Sequence, residues 1–155
     1  MLKKIFSAIL ALSILLAGSV VMAYNYQGHF PKYLNGDKNY IFCGAYRTWV
    51  GYAVRNSLNV ERYNPPNYII SIDIVNTHNC IKITGRGTSR FAYDWESKQA
   101  YEIEENGDWT LLDPRGKGPR SVGFKEALEA EMTFYLAYKK KFYGIYPDDF
   151  YEYYD

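Results

Sequence analysis

Residues 91–111 read FAYDWESKQAYEIEENGDWTL, a stretch in which apolar and polar side chains alternate around two groups of turn-forming residues. The apolar positions of the first two runs are every second residue: Phe91, Tyr93, Trp95, Tyr101 and Ile103. This is the period of half-buried β-strands, and residues 95–98 (WESK) interrupt it as a turn would. The stretch therefore predicts an antiparallel meander.

The second turn of the meander is predicted at residues 105–108 (ENGD). Its Asn106-Gly107 pair is favoured in type I′ hairpin turns, whose two central residues both need a positive φ. Trp109 and Leu111 then begin the last predicted strand.

The strongest strand candidate is YIISIDIV, residues 68–75. Its isoleucines at 70, 72 and 74 share one face, while Ser71 and Asp73 lie on the other. The neighbouring Ile69 and Val75 indicate that the second face is partly covered as well.

Further strands are predicted before this one. Residues 39–54 favour one or two strands, bent at Gly44 or Gly51, and residues 58–63 favour a short one. The segment Asn64-Pro65-Pro66-Asn67 ends that strand, because proline cannot donate a hydrogen bond to a ladder.

The period changes to that of a helix near residue 124. One stripe is apolar: Phe124, Leu128, Met132, Tyr135, Leu136 and Phe142. The early acids Glu126, Glu129 and Glu131 and the late lysines 139–141 match the helix dipole, and Gly144 is a plausible end of the helix. We therefore predict an α+β fold, an antiparallel β-meander of five to six strands with a C-terminal α-helix packed on one face.

The first residues have the layout of a secretory signal peptide: Lys3 and Lys4, an uncharged apolar stretch, and a small-residue ending at Ala23. Ser19 occupies the place of the cysteine that lipoproteins acylate. The alternative is an uncleaved membrane anchor, since about 19 uncharged residues can span a bilayer. We expect export after cleavage near Ala23, to the periplasm, the cell surface or the medium.

The predicted segments are a signal peptide (1–23), an N-terminal extension (24–39), one domain (40–144) and an acidic aromatic tail (145–155). The 155-residue chain has a formal charge of +1, which becomes −1 without Lys3 and Lys4. A near-neutral chain of this kind argues against nucleic acid as a partner.

Cys43 and Cys80 are the only two cysteines, and both lie in the part predicted to be exported. An even pair outside the cytoplasm favours a disulfide. Two separate thiols that pack as small apolar groups are the alternative.

No catalytic motif, metal-binding pattern or cofactor fingerprint is present in the sequence. We therefore predict no catalytic residue, no metal site and no cofactor. A small secreted hydrolase that uses sheet carboxylates such as Asp73, Asp94 and Glu102 is the enzymatic alternative. Acids on the solvated side of a half-buried sheet explain the same pattern without catalysis.

The loop DPRGKGPR (113–120) directly precedes the predicted helix. Its basic residues Arg115, Lys117 and Arg120 make it a candidate anion-binding site, because helix N-termini and arginines favour phosphate, sulfate or carboxylate. A solvated connecting loop is the alternative.

The chain is rich in aromatic residues, with 17 tyrosines, eight phenylalanines and three tryptophans. Tyrosine offers rigid contact area with a polar tip, which suits interaction surfaces. In the tail, the candidate interaction residues are Tyr146, Phe150, Tyr151, Tyr153 and Tyr154. A frayed terminus, or a strand or lid on the domain, are the other readings of this tail.

The segments SRFAYDWESKQAYEIEENGDWTLLDP (89–114) and ALEAEMTFYLAYKKKFYG (127–144) resemble those of small exported bacterial proteins of unknown function. The layout is also distantly similar to that of surface-adhesin E-like domains, which implies binding of matrix components. Together with the aromatic load, this predicts a non-enzymatic exported protein. We expect it to bind a protein or glycan partner outside the cytoplasm, and to meet a membrane only through an uncleaved signal peptide.

Overall fold

The computed structural model describes residues 30–46, 49–115 and 123–152. They form a seven-stranded antiparallel sheet with a C-terminal helix, which confirms the predicted α+β class. The strands are β1 (Tyr40–Tyr46), β2 (Trp49–Val54), β3 (Asn59–Asn64), β4 (Asn67–His78), β5 (Lys82–Asp94), β6 (Gln99–Ile103) and β7 (Trp109–Leu111). The helices are α1 (Phe124–Tyr138) and α2 (Asp148–Glu152). The predicted signal peptide lies outside the described residues.

The sheet has seven strands rather than five or six, in part because β2 and β3 share one edge of β4. The strand order is β1-β2-β4-β5-β6-β7, and β3 also pairs with β4. Ala53 of β2 lies opposite Ile74, whereas Asn59 of β3 lies opposite Ser71. Between them the hydroxyl oxygen of Ser57 accepts the N–H of Asp73 at 2.7 Å. The backbone N–H of Asp73 therefore has a hydrogen-bond partner in the gap between β2 and β3.

The hairpin of β4 and β5 is longer than the sequence pattern indicates. β4 has 12 residues and β5 has 13, so β5 begins well before Phe91. Residues 82–90 read KITGRGTSR and are mostly exposed. Alternation is absent there because this part of β5 has little buried surface on either face.

The two turns of the meander lie where they were predicted, but the second has a different geometry. Residues 95–98 join β5 to β6, as expected. In the turn before β7, Gly107 has a φ of 89°, whereas Asn106 keeps a negative φ. The N–H of Gly107 donates to Glu104 O at 2.9 Å, and the N–H of Glu104 donates to Asp108 O at 2.8 Å. This is a type I turn followed by a left-handed glycine, so the predicted type I′ turn is wrong.

Helix α1 ends earlier than predicted. Lys139 adopts a left-handed φ of 55°, so the lysines 139–141 lie beyond the helix instead of in its last turn. The buried carboxylate of Glu131 explains the chain reversal, because it accepts the backbone N–H groups of residues 142–144 at 2.6–3.2 Å. Within the described residues, no helix is long and apolar enough to cross a membrane.

Helix α1 packs on one face of the sheet, here called the helix face. Tyr68 of β4 and Tyr93 of β5 are opposite each other, and both rings contact Phe134 of α1. By the alternation of strand side chains, Ile70, Ile72 and Ile74 also point to this face, and all three are buried. The other face, here called the open face, carries Asp73, Arg86 and Thr88.

The packed core is wider than the predicted domain of residues 40–144. Leu34 is buried before it, and Ile145, Tyr146, Phe150 and Tyr151 are buried after it. The Tyr146 hydroxyl donates to the carbonyl oxygens of Cys43 and Leu128, and the Phe150 ring contacts Phe42. The proposed interaction surface of the tail is therefore wrong for Tyr146, Phe150 and Tyr151, which are core residues. Tyr153 and Tyr154 lie outside the described residues.

Cys43 and Cys80 are both free thiols, so the expected disulfide is not found. Cys43 is buried in β1, and Cys80 lies in the turn between β4 and β5. β2 separates β1 from β4, so the two cysteines belong to parts of the sheet about 10 Å apart across the strands alone. A disulfide needs Cα atoms within about 7 Å.

Candidate functional site

The three carboxylates considered for catalysis do not converge. Asp73 lies on the open face, where its carboxylate accepts hydrogen bonds from Thr88 at 2.7 Å and from Arg86 at 2.6 Å. These two partners lower the pKa of Asp73. Asp73 is thus a charged, structurally paired residue that bridges β4 and β5.

Asp94 stabilises the turn between β5 and β6. One of its carboxylate oxygens accepts the backbone N–H groups of Glu96 and Ser97, and the other accepts the Ser97 hydroxyl at 2.7 Å. The Ser97 hydroxyl and these backbone groups lower the pKa of Asp94. In the folded chain, both oxygens of the Asp94 carboxylate therefore already accept hydrogen bonds from the turn.

Glu102 lies on the helix face and belongs to a different group of acids. It is opposite Phe91 in the β5–β6 ladder and faces Glu126 and Glu129 of α1. Partial burial, followed by repulsion from Glu126 and Glu129, raises the pKa of Glu102 to about 7. We call Glu102, Glu126 and Glu129 the acid cluster.

Glu129 is the most buried member of the acid cluster, with 1% of its surface exposed. Its carboxylate is 2.9 Å from the ammonium nitrogen of Lys125 and accepts a long hydrogen bond from Ser89 at 3.5 Å. Burial raises the pKa of Glu129, and the Lys125 ion pair opposes that rise. One lysine therefore partners a group of three acids.

Sequence reasoning missed this cluster because it assigned Glu126 and Glu129 to the helix dipole. Their spacing of three residues places both on one side of α1, which is the signal that was available. That this side meets Glu102 depends on the packing of α1 on the sheet. Among the described residues, no group of three or more acids, histidines or cysteines is placed to hold a metal ion.

The predicted anion-binding loop is described only up to Arg115. The Arg115 side chain is 81% exposed, and its guanidinium lies 3.7 Å from the carboxylate of Asp113. Lys117 and Arg120 lie outside the described residues. Anion binding by this loop stays a prediction.

The open face carries a concave groove of about 450 Å³. β3, β4, β5, β6 and β7 all contribute to it, so the groove exists only once these strands are in register. It is lined by Arg62, Asn64, Asn67, Tyr68, Ile69, Ala92, Tyr93, Asp94, Tyr101 and Trp109. We call it the open-face groove.

One wall of the open-face groove is aromatic. The rings of Tyr101 and Trp109 have centroids 5.8 Å apart and are tilted by 49°. Trp109 is 56% exposed, and the neighbouring Leu111 is 50% exposed. These side chains continue the apolar alternation of the meander, yet they face solvent because α1 covers only the opposite face.

The other wall is polar and has hydrogen-bonding capacity to spare. Arg62 and Asn64 come from β3, and Asn67 begins β4. In the described part of the chain, the Arg62 guanidinium has no carboxylate partner, unlike Arg86 and Arg90. A guanidinium and two amides therefore face an exposed indole across one groove.

Comparisons with protein-family models, with curated proteins and with solved structures gave no match for this chain.

Proposed function

We propose that this chain is an exported binding protein that holds a segment of a carbohydrate chain in the open-face groove. The observation that carries the proposal is the exposed Trp109 ring beside Tyr101, facing the polar side chains of Arg62, Asn64 and Asn67. Export rests on the predicted signal peptide, and sequencing the N-terminus of the secreted protein tests it, with Tyr24 expected first.

The chemistry of the groove suits a sugar better than the other ligands of its size. The C–H groups on one face of a sugar ring pack on an aromatic ring, because the face of the aromatic ring carries negative charge density. The hydroxyl groups of the sugar form hydrogen bonds with amides and with a guanidinium. A lipid would leave the polar wall unpaired, which costs free energy. A folded protein partner typically covers about 800 Å² on each side, more than this groove offers alone.

The groove favours binding over hydrolysis. The one carboxylate in its lining belongs to Asp94, and that carboxylate is bonded to the turn at residues 96–97. General acid and base catalysis of glycoside cleavage needs two available carboxyl groups on either side of the bond. The lining supplies recognition groups without such a pair.

The test is a titration of the protein with soluble oligosaccharides that differ in N-acetyl and carboxylate groups, followed by tryptophan fluorescence and calorimetry. Trp109→Ala should weaken binding about tenfold or more, since loss of a stacked ring removes about 1.4 kcal/mol or more. Arg62→Ala should weaken binding by a similar factor.

Tyr63→Ala is the matched control, because Tyr63 is 67% exposed and does not line the groove. It should bind as the unmodified protein does. Full affinity in Trp109→Ala, or the absence of binding to every oligosaccharide tested, would contradict the proposal.

A further inference from the structure

A second surface, separate from the open-face groove, is the outer edge of β5. β6 pairs with β5 only over Phe91–Asp94, whereas β4 pairs along its whole length. No other strand of the described chain pairs with residues 82–90. We call residues 82–90 the free edge of β5.

The direction of the backbone groups along this edge follows from the ladder. The N–H of Trp95 donates to Pro66 O at 2.9 Å, which places the backbone groups of Trp95 on the β4 side. Because direction alternates along a strand, those of Arg86, Thr88 and Arg90 point away from β4. Arg86 and Thr88 thus offer their N–H and C=O groups at an exposed edge, which is a template for another strand, while Arg90 lies next to the Phe91–Glu102 pair that ends the β5–β6 ladder.

The side chains on the two faces of this edge differ in charge. On the open face, Arg86 is paired with Asp73 and Arg90 with Glu61, both at 2.6 Å. On the helix face, the edge ends at the acid cluster, where Lys125 is the single cationic partner within residues 30–46, 49–115 and 123–152. Partial burial, followed by the nearby carboxylates of Glu126 and Glu129, raises the pKa of Glu102.

The helix face also has room for a side chain beside this edge. Gly87 lies on that face, and a Cβ atom at Gly87 would meet no heavy atom within 4 Å. Gly87 itself is exposed. If a strand is added next to β5, its side chains on the helix face have space beside Gly87. From there they can extend towards Glu102 and Glu126.

We infer that the free edge of β5 binds an extended basic peptide segment of a partner protein, which adds to the sheet as a further strand. The peptide backbone bonds to Arg86 and Thr88, and its lysine or arginine side chains lie on the helix face against the acid cluster. This mode of recognition combines main-chain hydrogen bonds for affinity with side-chain contacts for specificity.

A second copy of this chain fits the edge less well. Antiparallel pairing of two β5 edges about Thr88 would place Arg86 opposite Arg90 of the partner copy on the same face, and like charges directly opposite destabilise a sheet. An acidic peptide gains little, because Arg86 and Arg90 already have carboxylate partners.

The test uses hydrogen exchange of the isotope-labelled protein, measured by NMR. Without a peptide, the amides of Arg86 and Thr88 should exchange fast, and those of Gly87 and Ser89, which face β4, should be protected. A capped peptide of alternating valine and lysine should slow the first set, and the same peptide with glutamate for lysine should not.

Two substitutions separate the backbone part from the charge part. Thr88→Pro removes an outward N–H and should abolish peptide binding, whereas Thr88→Val keeps that N–H and should bind. The double variant Glu102→Gln with Glu126→Gln should weaken the lysine peptide about tenfold, which is about 1.4 kcal/mol.

Each alternative result overturns the inference. Equal binding of the lysine and glutamate peptides would show that charge does not select the peptide. If neither peptide slows amide exchange along the free edge of β5, the edge is not a binding site. Protection that rises with protein concentration alone would assign the edge to a second copy. If Thr88→Pro does not fold, the peptide pair and the glutamine variants still decide the outcome.

Discussion

The hydroxyl group of Tyr151 donates a hydrogen bond to the carboxylate of Glu131, and both residues are buried. The same carboxylate accepts the backbone N–H groups of residues 142–144. Through these hydrogen bonds, Glu131 of α1 fixes both the chain reversal that follows α1 and the short helix α2. Burial raises the pKa of Glu131, and these hydrogen bonds oppose that rise.

We expect Glu131→Gln to destabilise the protein by about 2 kcal/mol, because an amide replaces one accepting oxygen with a donating nitrogen and leaves a buried N–H unpaired. Urea unfolding measures the change. Glu152→Gln, at an exposed position of α2, should change the free energy of unfolding by less than about 0.5 kcal/mol. Equal effects of the two variants would contradict the assigned role of Glu131.

We expect stability to fall as the pH rises from the ordinary glutamate pKa of 4.5 through the raised value of about 7 at Glu102. In this window the folded state binds more protons than the unfolded state, so the free energy of unfolding decreases with pH. Glu102 is partly solvated, and after screening we expect its share to be about 1 kcal/mol. Urea unfolding across this range, compared between the protein and Glu102→Gln, measures that share. A slope unchanged in the variant would show that Glu102 does not cause it.

We expect Phe150→Ala to cost about 3 kcal/mol or more, as large-to-small changes of buried aromatic residues do. Phe150 stacks on Tyr146 with ring centroids 4.2 Å apart and is 2% exposed. Its neighbour Asp149 is exposed, so Asp149→Ala should cost less than about 1 kcal/mol. Thermal unfolding of both variants checks this, and a native Tm for Phe150→Ala would support the alternative of a frayed terminus.

We expect the Tm to be the same with and without a reducing agent, because Cys43 and Cys80 are free thiols. Thiol titration of the denatured protein without reductant should detect both cysteines. Burial raises the pKa of Cys43 well above its ordinary value, so the folded protein should react at Cys80 first. A Tm that falls on reduction would show a bond that the structure lacks.

Local patterns predicted the elements whose partners are close in sequence. The meander was readable because Tyr93 and Tyr101 alternate with polar residues on either side of a short turn. The strand over 68–75 was readable because its isoleucines recur every second residue. The class of fold followed from these two stretches and the apolar stripe of the helix.

What the sequence did not reveal depends on contacts between distant residues. Glu129 and Glu131 look like solvent-facing helix acids until Lys125 and the backbone of residues 142–144 are placed against them. The open-face groove joins Arg62 to Trp109, which no local period connects. The tail was predicted to be an interaction surface because the acids at 148 and 149 directly precede Phe150 and Tyr151, an apolar pair that in fact completes the core.

The rings of Phe30 and Phe150 both pack against Phe42, at centroid distances of 5.4 Å and 6.3 Å. The first and last described parts of the chain therefore meet beside β1, five strand positions away from β7 along the sheet. A solid support or a fluorescent label attached to these two described parts of the chain would hold the molecule by its β1 side. The Trp109 groove and the outer side of β5 would then face the solution, which makes immobilised protein suitable for both binding assays.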